Sequence, residues 1–128
     1  MKNFGKPRKT GLVRIFYAFI YSINGLRAAF KYEAAFRQET ILIGIGLVAA
    51  FLLPVTLVEK LLLITSLALV LIVELINSAI EAIIDRISTD LHELSGRAKD
   101  IGSAAVFVSL TLAAVVWGSV LANLFFQF

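Results

Sequence analysis

The sequence has no cysteine, a single histidine and only two prolines in 128 residues. Without cysteine, thiol chemistry and disulfides are excluded, and the redox compartment is left open. No glycine-rich P-loop and no kinase-type GxGxxG occurs, so the common phosphate cradles of soluble nucleotide-binding folds are missing. Charge is sparse, at 16% of residues, and none follows Asp100. The basic start, through Lys9 and Thr10, is not followed by an uninterrupted apolar stretch with a small-residue cleavage site. No removable signal peptide is therefore expected.

What is present is apolar: 59% hydrophobic residues and a mean hydropathy of +0.91. That is too apolar for a soluble domain of this length, so the chain is read as an integral membrane protein. A pI near 9.5 invites a nucleic-acid reading. The basic residues, however, flank apolar segments, which assigns them to anionic lipid headgroups and to orientation, with no nucleic-acid partner.

An all-α membrane fold follows, with one interfacial helix and three spans in a single domain over 1–128. Residues 1–10 are polar and basic and are expected to be mobile until they meet the membrane surface. Residues 11–32 place Leu12, Val13, Ile15, Phe16, Phe19, Ile20, Ile23, Leu26 and Phe30 on one side at helical spacing, with Arg14, Tyr17, Tyr21 and Asn24 opposite. This pattern predicts an amphipathic surface helix, with Asn24-Gly25 as a candidate break. The next apolar run, 40–53, is short of the ~20 residues a span needs, so the first span must reach back to residue 34. That brings Glu33 and Arg37, one turn apart, to the membrane boundary as a candidate ion pair. Pro54-Val55-Thr56 closes the span and makes the next one, 57–85, its antiparallel neighbour. A Ser95-Gly96 turn signal falls in the following loop, and the third span is expected over 99–126, with Trp117 and the closing Phe residues as interface anchors. Gly44, Gly46, Ala49 and Ala50 offer small surfaces for close helix association.

Residues 1–39 hold eight of the twelve Lys and Arg, and the 86–99 loop adds three more. By the positive-inside rule the N-terminus and this loop are cytoplasmic, in the inner membrane of a cell.

Within the second span, Glu74, Asn77, Ser78, Glu81 and Asp85 fall in one arc of roughly 100° on a helical projection. Ionised carboxylates in a bilayer each cost ~2.5–3.5 kcal/mol, and such groups default to function. Their stripe begins near one membrane surface and runs toward water, beside Glu33, Arg37, Asp90, His92, Lys99 and Asp100. Carboxylates from different helices at a wet edge suit Mg²⁺, which is typically held by one or two of them together with substrate phosphates. A further carboxylate can take a proton from an alcohol, and Arg14, Arg97 and Lys99 can hold phosphate oxygens. Phosphoryl transfer to a lipid hydroxyl is the chemistry this set supports. A proton- or cation-coupled transport subunit built on Glu74 is the alternative from another class.

Three longer motifs narrow the choice. Glu33-Ala34-Ala35-Phe36-Arg37-Gln38-Glu39, then Glu74-x-x-Asn77-Ser78-Ala79-Ile80-Glu81-x-x-x-Asp85-Arg86, then His92 through Lys99-Asp100-x-Gly102-Ser103-Ala104-Ala105 resemble the motifs of the bacterial integral-membrane diacylglycerol kinases. The resemblance covers roughly Arg14 to Trp117. It implies a homotrimer with active sites shared between subunits, using ATP to phosphorylate diacylglycerol. Carried onto this sequence, it makes Glu74 the general base, supported by Asn77, and gives Glu33 and Glu81 to Mg²⁺. Arg14, Tyr21, Asp90, Leu91, His92, Lys99 and Asp100 would contact ATP together with the two metal-holding carboxylates. Ala35, Phe36, Arg37, Gln38, Glu39, Ser103 and Trp117 would line the lipid site with Glu74. Asp90 stands where the family often has Glu, and Leu91 where an aromatic is common. The related undecaprenol kinases share the Glu-Asn-Glu core but depart from the Ala-Ala-Phe-Arg-Gln-Glu segment, which favours diacylglycerol as the substrate.

Overall fold

A computed structural model describes residues 10–127 and arranges them as four helices: α1 (Gly11–Tyr32), α2 (Ala34–Leu52), α3 (Leu57–Ile87) and α4 (Glu93–Phe126). The basic segment 1–9 and Phe128, for which the sequence predicts surface and anchor roles, lie outside the described residues. α2, α3 and α4 are each long and apolar enough to cross a membrane. At ~1.5 Å per residue, the 31 residues of α3 and 34 of α4 exceed a ~30 Å hydrocarbon core, whereas the 19 of α2 only just match it.

The connections explain the arrangement. Thr56 caps α3 with a reciprocal box: its Oγ1 accepts from the Glu59 N–H at 3.2 Å, and Glu59 Oε1 accepts from the Thr56 N–H at 3.3 Å. Lys60 Nζ donates back to the Phe51 carbonyl at 2.8 Å, satisfying the end of α2. The turn is thus locked on both sides, and α2 runs antiparallel to α3 from a common level. Because α3 is the longer, its last turns overhang the start of α2.

α3 is the central helix, packing on both α2 and α4. One cluster joins Ile43, Val70 and Ala113; a second joins Ala50, Leu63 and Val120, with Trp117 against it. Each cluster takes one residue from each of the three long helices. In lipid such contacts hold through dispersion and close fit rather than water exclusion. Gly46 belongs to this fit: a Cβ there would lie 2.8 Å from Leu67 Cδ1. Ala50 is fully buried. Two of the small residues expected at subunit contacts are therefore used inside the chain, whereas Gly44 faces open space.

The edges differ from the sequence expectation in informative places. α1 continues through Asn24-Gly25 without a break. α4 begins at Glu93 rather than near Lys99, because His92 caps it, its Nδ1 accepting the Leu94 N–H at 3.1 Å. The Ser95-Gly96 signal is absorbed into the first turns of the helix. Glu33 alone separates α1 from α2, in extended backbone.

Candidate active site

With α2 and α3 antiparallel from a short turn, equal rises set residues of the early α2 beside the later half of α3. Glu39 and Glu74 meet there, with their carboxyl groups in hydrogen-bonding reach of each other. Glu74 is 4% exposed, the most enclosed acidic group among the described residues. Asn77 and Ser78, also buried, follow on the same side of α3. Asn77 Nδ2 points to Glu81 Oε1 at 3.5 Å, the long limit of a hydrogen bond. Its Oδ1 faces Gly102 of α4, so closely that any Cβ at that position would overlap it.

Glu33 completes the group from the α1–α2 joint. Burial, then the negative charges of Glu81, Glu74 and Asp85, push its carboxyl above the ordinary value of 4.5. Four carboxylates thus share one field, drawn from α3 and from the residue that precedes α2. A cation at this point would relieve that repulsion. One is already nearby: Lys99 Nζ on α4 donates to Asp85 Oδ1 at 2.8 Å.

Among the described residues no set of three or more His, Cys, Asp or Glu side chains converges as a metal cage. Glu33 and Glu81 are hard-oxygen donors close enough to repel each other, and two carboxylates with phosphate oxygens are the donor set that Mg²⁺ commonly takes. The residues fit that ion.

A cavity of about 650 Å³ lies between α1 and α3, lined by Leu26, Ala29, Tyr32, Ser78 and Ala82 with Glu33 at its margin. Among the described residues, five side chains carry a buried polar atom without a hydrogen-bond partner, and four of them, Glu39, Thr40, Asn77 and Ser78, are on this part of α2 and α3. Such groups cost ~1–3 kcal/mol each, and their gathering in one place marks a site rather than a core.

Not every residue expected at the site joins this group. Arg14, Asp90, Leu91 and His92 are exposed, and His92 is engaged in capping α4. Tyr21 is half-buried on α1. Asp100 and Ser103 are exposed on α4, one on either side of Gly102. Ala35 and Gln38 are exposed on α2, and Phe36 is 3% exposed, packed inside the chain. Trp117 lies deeper, its ring 3.6 Å from where a Gly46 Cβ would stand, with Leu67 on the same side. Arg37 does not pair with Glu33; its Nη1 donates to the Phe30 and Lys31 carbonyls at 2.9 and 3.0 Å. Asp85 has a larger part than sequence reasoning gave it. Its spacing four residues beyond Glu81 was visible, but its partner on another helix was not.

A family described as prokaryotic diacylglycerol kinase matches residues 20–121. Among curated relatives, a diacylglycerol kinase of Escherichia coli is 53% identical over 108 residues, covering 84% of this chain and 88% of that protein. One from Haemophilus influenzae is 48% identical over 114 residues, covering 89% and 97%. One from Pseudomonas aeruginosa is 52% identical over 113 residues, covering 88% and 92%.

Proposed function

The chain belongs to the prokaryotic diacylglycerol kinase family, and from that premise we propose that it transfers the γ-phosphoryl group of ATP to diacylglycerol at the inner face of the cytoplasmic membrane. It is a membrane-embedded kinase acting on an alcohol; the transport and undecaprenol readings are not favoured. The observation that carries the detailed reading is the shared field of Glu33, Glu74, Glu81 and Asp85 beside Lys99.

In this reading the lipid hydroxyl oxygen attacks the γ-phosphorus in line, the bond to the β-phosphate oxygen breaks, and ADP leaves. Glu74 accepts the hydroxyl proton, at a depth where a lipid presents its glycerol. Asn77 holds the neighbouring Glu81 in place. Glu33 and Glu81 would hold Mg²⁺, which when bound neutralises phosphate charge. Lys99, with Arg14, Tyr21, Asp90, Leu91, His92 and Asp100, faces the nucleotide. Gln38 and Glu39, with Ala35, Phe36, Ser103 and Trp117, belong to the lipid side, and the α1–α3 cavity admits acyl chain. Positioning and electrostatic relief supply most of the rate, since no covalent intermediate is required.

The finer expectations of location and assembly belong to the same proposal. α1 lies along the interface, its Leu12, Phe16 and Phe19 exposed to lipid. The N-terminus is cytoplasmic, a reading that the distribution of Lys and Arg supports. The enzyme works as a homotrimer with shared sites: Arg14, Asp90 and His92 are exposed in one chain, and among the described residues no third side chain joins Glu33 and Glu81 in a metal cage.

The test is transfer of label from [γ-³²P]ATP in mixed micelles containing diacylglycerol or undecaprenol. Label in phosphatidic acid is expected; label in undecaprenyl phosphate alone would overturn the substrate.

A further inference from the structure

We infer that Arg37 is a positioning residue for Glu33, setting the angle of the α1–α2 joint, and not a ligand of the lipid. A helix ends with four carbonyls that have no intrahelical partner. At the end of α1 the Glu33 N–H takes the Ala29 carbonyl at 2.9 Å. Arg37 Nη1 takes the next two, Phe30 at 2.9 Å and Lys31 at 3.0 Å. Its charge also meets the negative end of the α1 dipole.

Arg37 sits on α2, so these bonds join two helices rather than finish one. Its own N–H is bonded to the Glu33 carbonyl at 3.2 Å, so the joint residue is held from both directions. A planar guanidinium fixes both donor hydrogens of Nη1 in one plane and thereby the direction of α1 relative to α2.

Within the chain, little else fixes that direction. α1 packs chiefly on α2, near the joint, while Leu12, Val13, Ile15, Phe16 and Phe19 are exposed. Glu33 is the point where a swing of α1 would be felt, because it is the single residue between the helices. Its carboxyl, which already feels the charge of Glu81, must keep that placement for the two to share an ion. Arg37, whose guanidinium is bonded to the α1 carbonyls, would thus act on the metal only through Glu33.

This inference rests on the reading that Glu33 and Glu81 hold Mg²⁺, and the experiment separates the two. The full-length enzyme in mixed micelles is assayed at fixed ATP with free Mg²⁺ varied, and again at saturating Mg²⁺ with diacylglycerol varied; the rise in its thermal unfolding temperature on adding Mg²⁺ without nucleotide is measured beside them, and is expected to need more Mg²⁺ in Arg37→Gln. Outer partners of metal ligands change affinity by roughly 10–100-fold, so Arg37→Gln is expected to raise half-saturating Mg²⁺ about tenfold while KM for diacylglycerol stays within about twofold. Arg37→Lys, which keeps the charge but loses the planar fork, should give a smaller rise in the same direction, and it carries the test if Arg37→Gln does not assemble. A rise in lipid KM with an unchanged Mg²⁺ requirement would make Arg37 a lipid ligand and overturn the inference. A fall in kcat with neither requirement moved would reduce it to a fold-supporting residue, with the same result. Glu33→Gln is the control for the reading beneath: if its Mg²⁺ requirement equals that of the parent, Glu33 is not a metal ligand.

Discussion

Lys99 on α4 reaches Asp85 near the end of α3, its ammonium donating to Oδ1 at 2.8 Å. Side-chain exposures of 43% and 63% place the pair in water, where such a contact is worth roughly 0.2–1 kcal/mol. Stability is therefore a minor part of what this pair does. In the proposed reaction the charge of Lys99, held beside the carboxylate group, would exchange a carboxylate for a phosphate.

Lys99→Met is accordingly expected to raise KM for ATP by about tenfold or more, while the unfolding free energy changes by less than about 1 kcal/mol. Initial rates against ATP and thermal unfolding in the same detergent check the two halves of this expectation. A large loss of stability with an unaltered KM would assign Lys99 to the fold.

The sequence made the long helices readable because each is an apolar run bounded by strong signals, Pro54 and Thr56 above all. The carboxylate stripe of α3 was readable for the same reason: helical spacing alone places Glu74, Glu81 and Asp85 on one side. What periodicity cannot supply is the partner across a helix interface. Arg37 had a carboxylate at the right local spacing in Glu33, yet it bonds to α1 carbonyls that become acceptors only because the helix ends there. Ser95-Gly96 reads locally as a turn, but a cap one turn earlier at His92 overrides it. Gly46 looked like a subunit-packing residue until the Leu67 and Trp117 side chains filled its notch.

Glu74→Gln keeps the size of the side chain but cannot accept a proton from the attacking alcohol. Loss of a general base typically costs 10²–10⁴-fold, so turnover is expected to fall by at least about 100-fold. The oligomeric state by gel filtration and KM for ATP should be nearly unchanged. Near-normal phosphorylation of diacylglycerol by this variant would move the base elsewhere.

Glu33 yields a prediction in pH. Its carboxyl titrates above the ordinary 4.5, because burial and neighbouring negative charge favour the protonated form. A carboxyl raised on folding contributes stability below its unfolded value, and that contribution is lost as pH rises through the folded value. In the absence of divalent cation the enzyme should thus lose stability as pH climbs from the ordinary carboxylate range through the raised value. Glu33→Gln should flatten this part of the profile. Mg²⁺ binds the ionised form, so its apparent affinity should rise over the same interval and its stabilising effect should grow. Thermal unfolding at several pH values, with and without Mg²⁺, reads both trends; a pH profile identical in the parent and Glu33→Gln would remove Glu33 as their source.

Gly102 joins packing to the candidate site. A Cβ there meets Asn77 Oδ1, which is buried and has no hydrogen-bond partner, and the other end of the same carboxamide points to Glu81. Overfilling a close contact costs typically 1–3 kcal/mol, so Gly102→Ala is expected to lower stability by about that amount. It should also reduce activity, because Asn77 can yield only by turning away from Glu81. Shortening the obstructing side chain offers the decisive comparison. In the double variant Gly102→Ala with Asn77→Ser, the new methyl has room, and stability should recover relative to Gly102→Ala alone by more than the sum of the two single changes allows. Activity should not recover, since the group that supports Glu81 is gone. Strictly additive stabilities would mean that the methyl at 102 and the Asn77 side chain never compete for the same space.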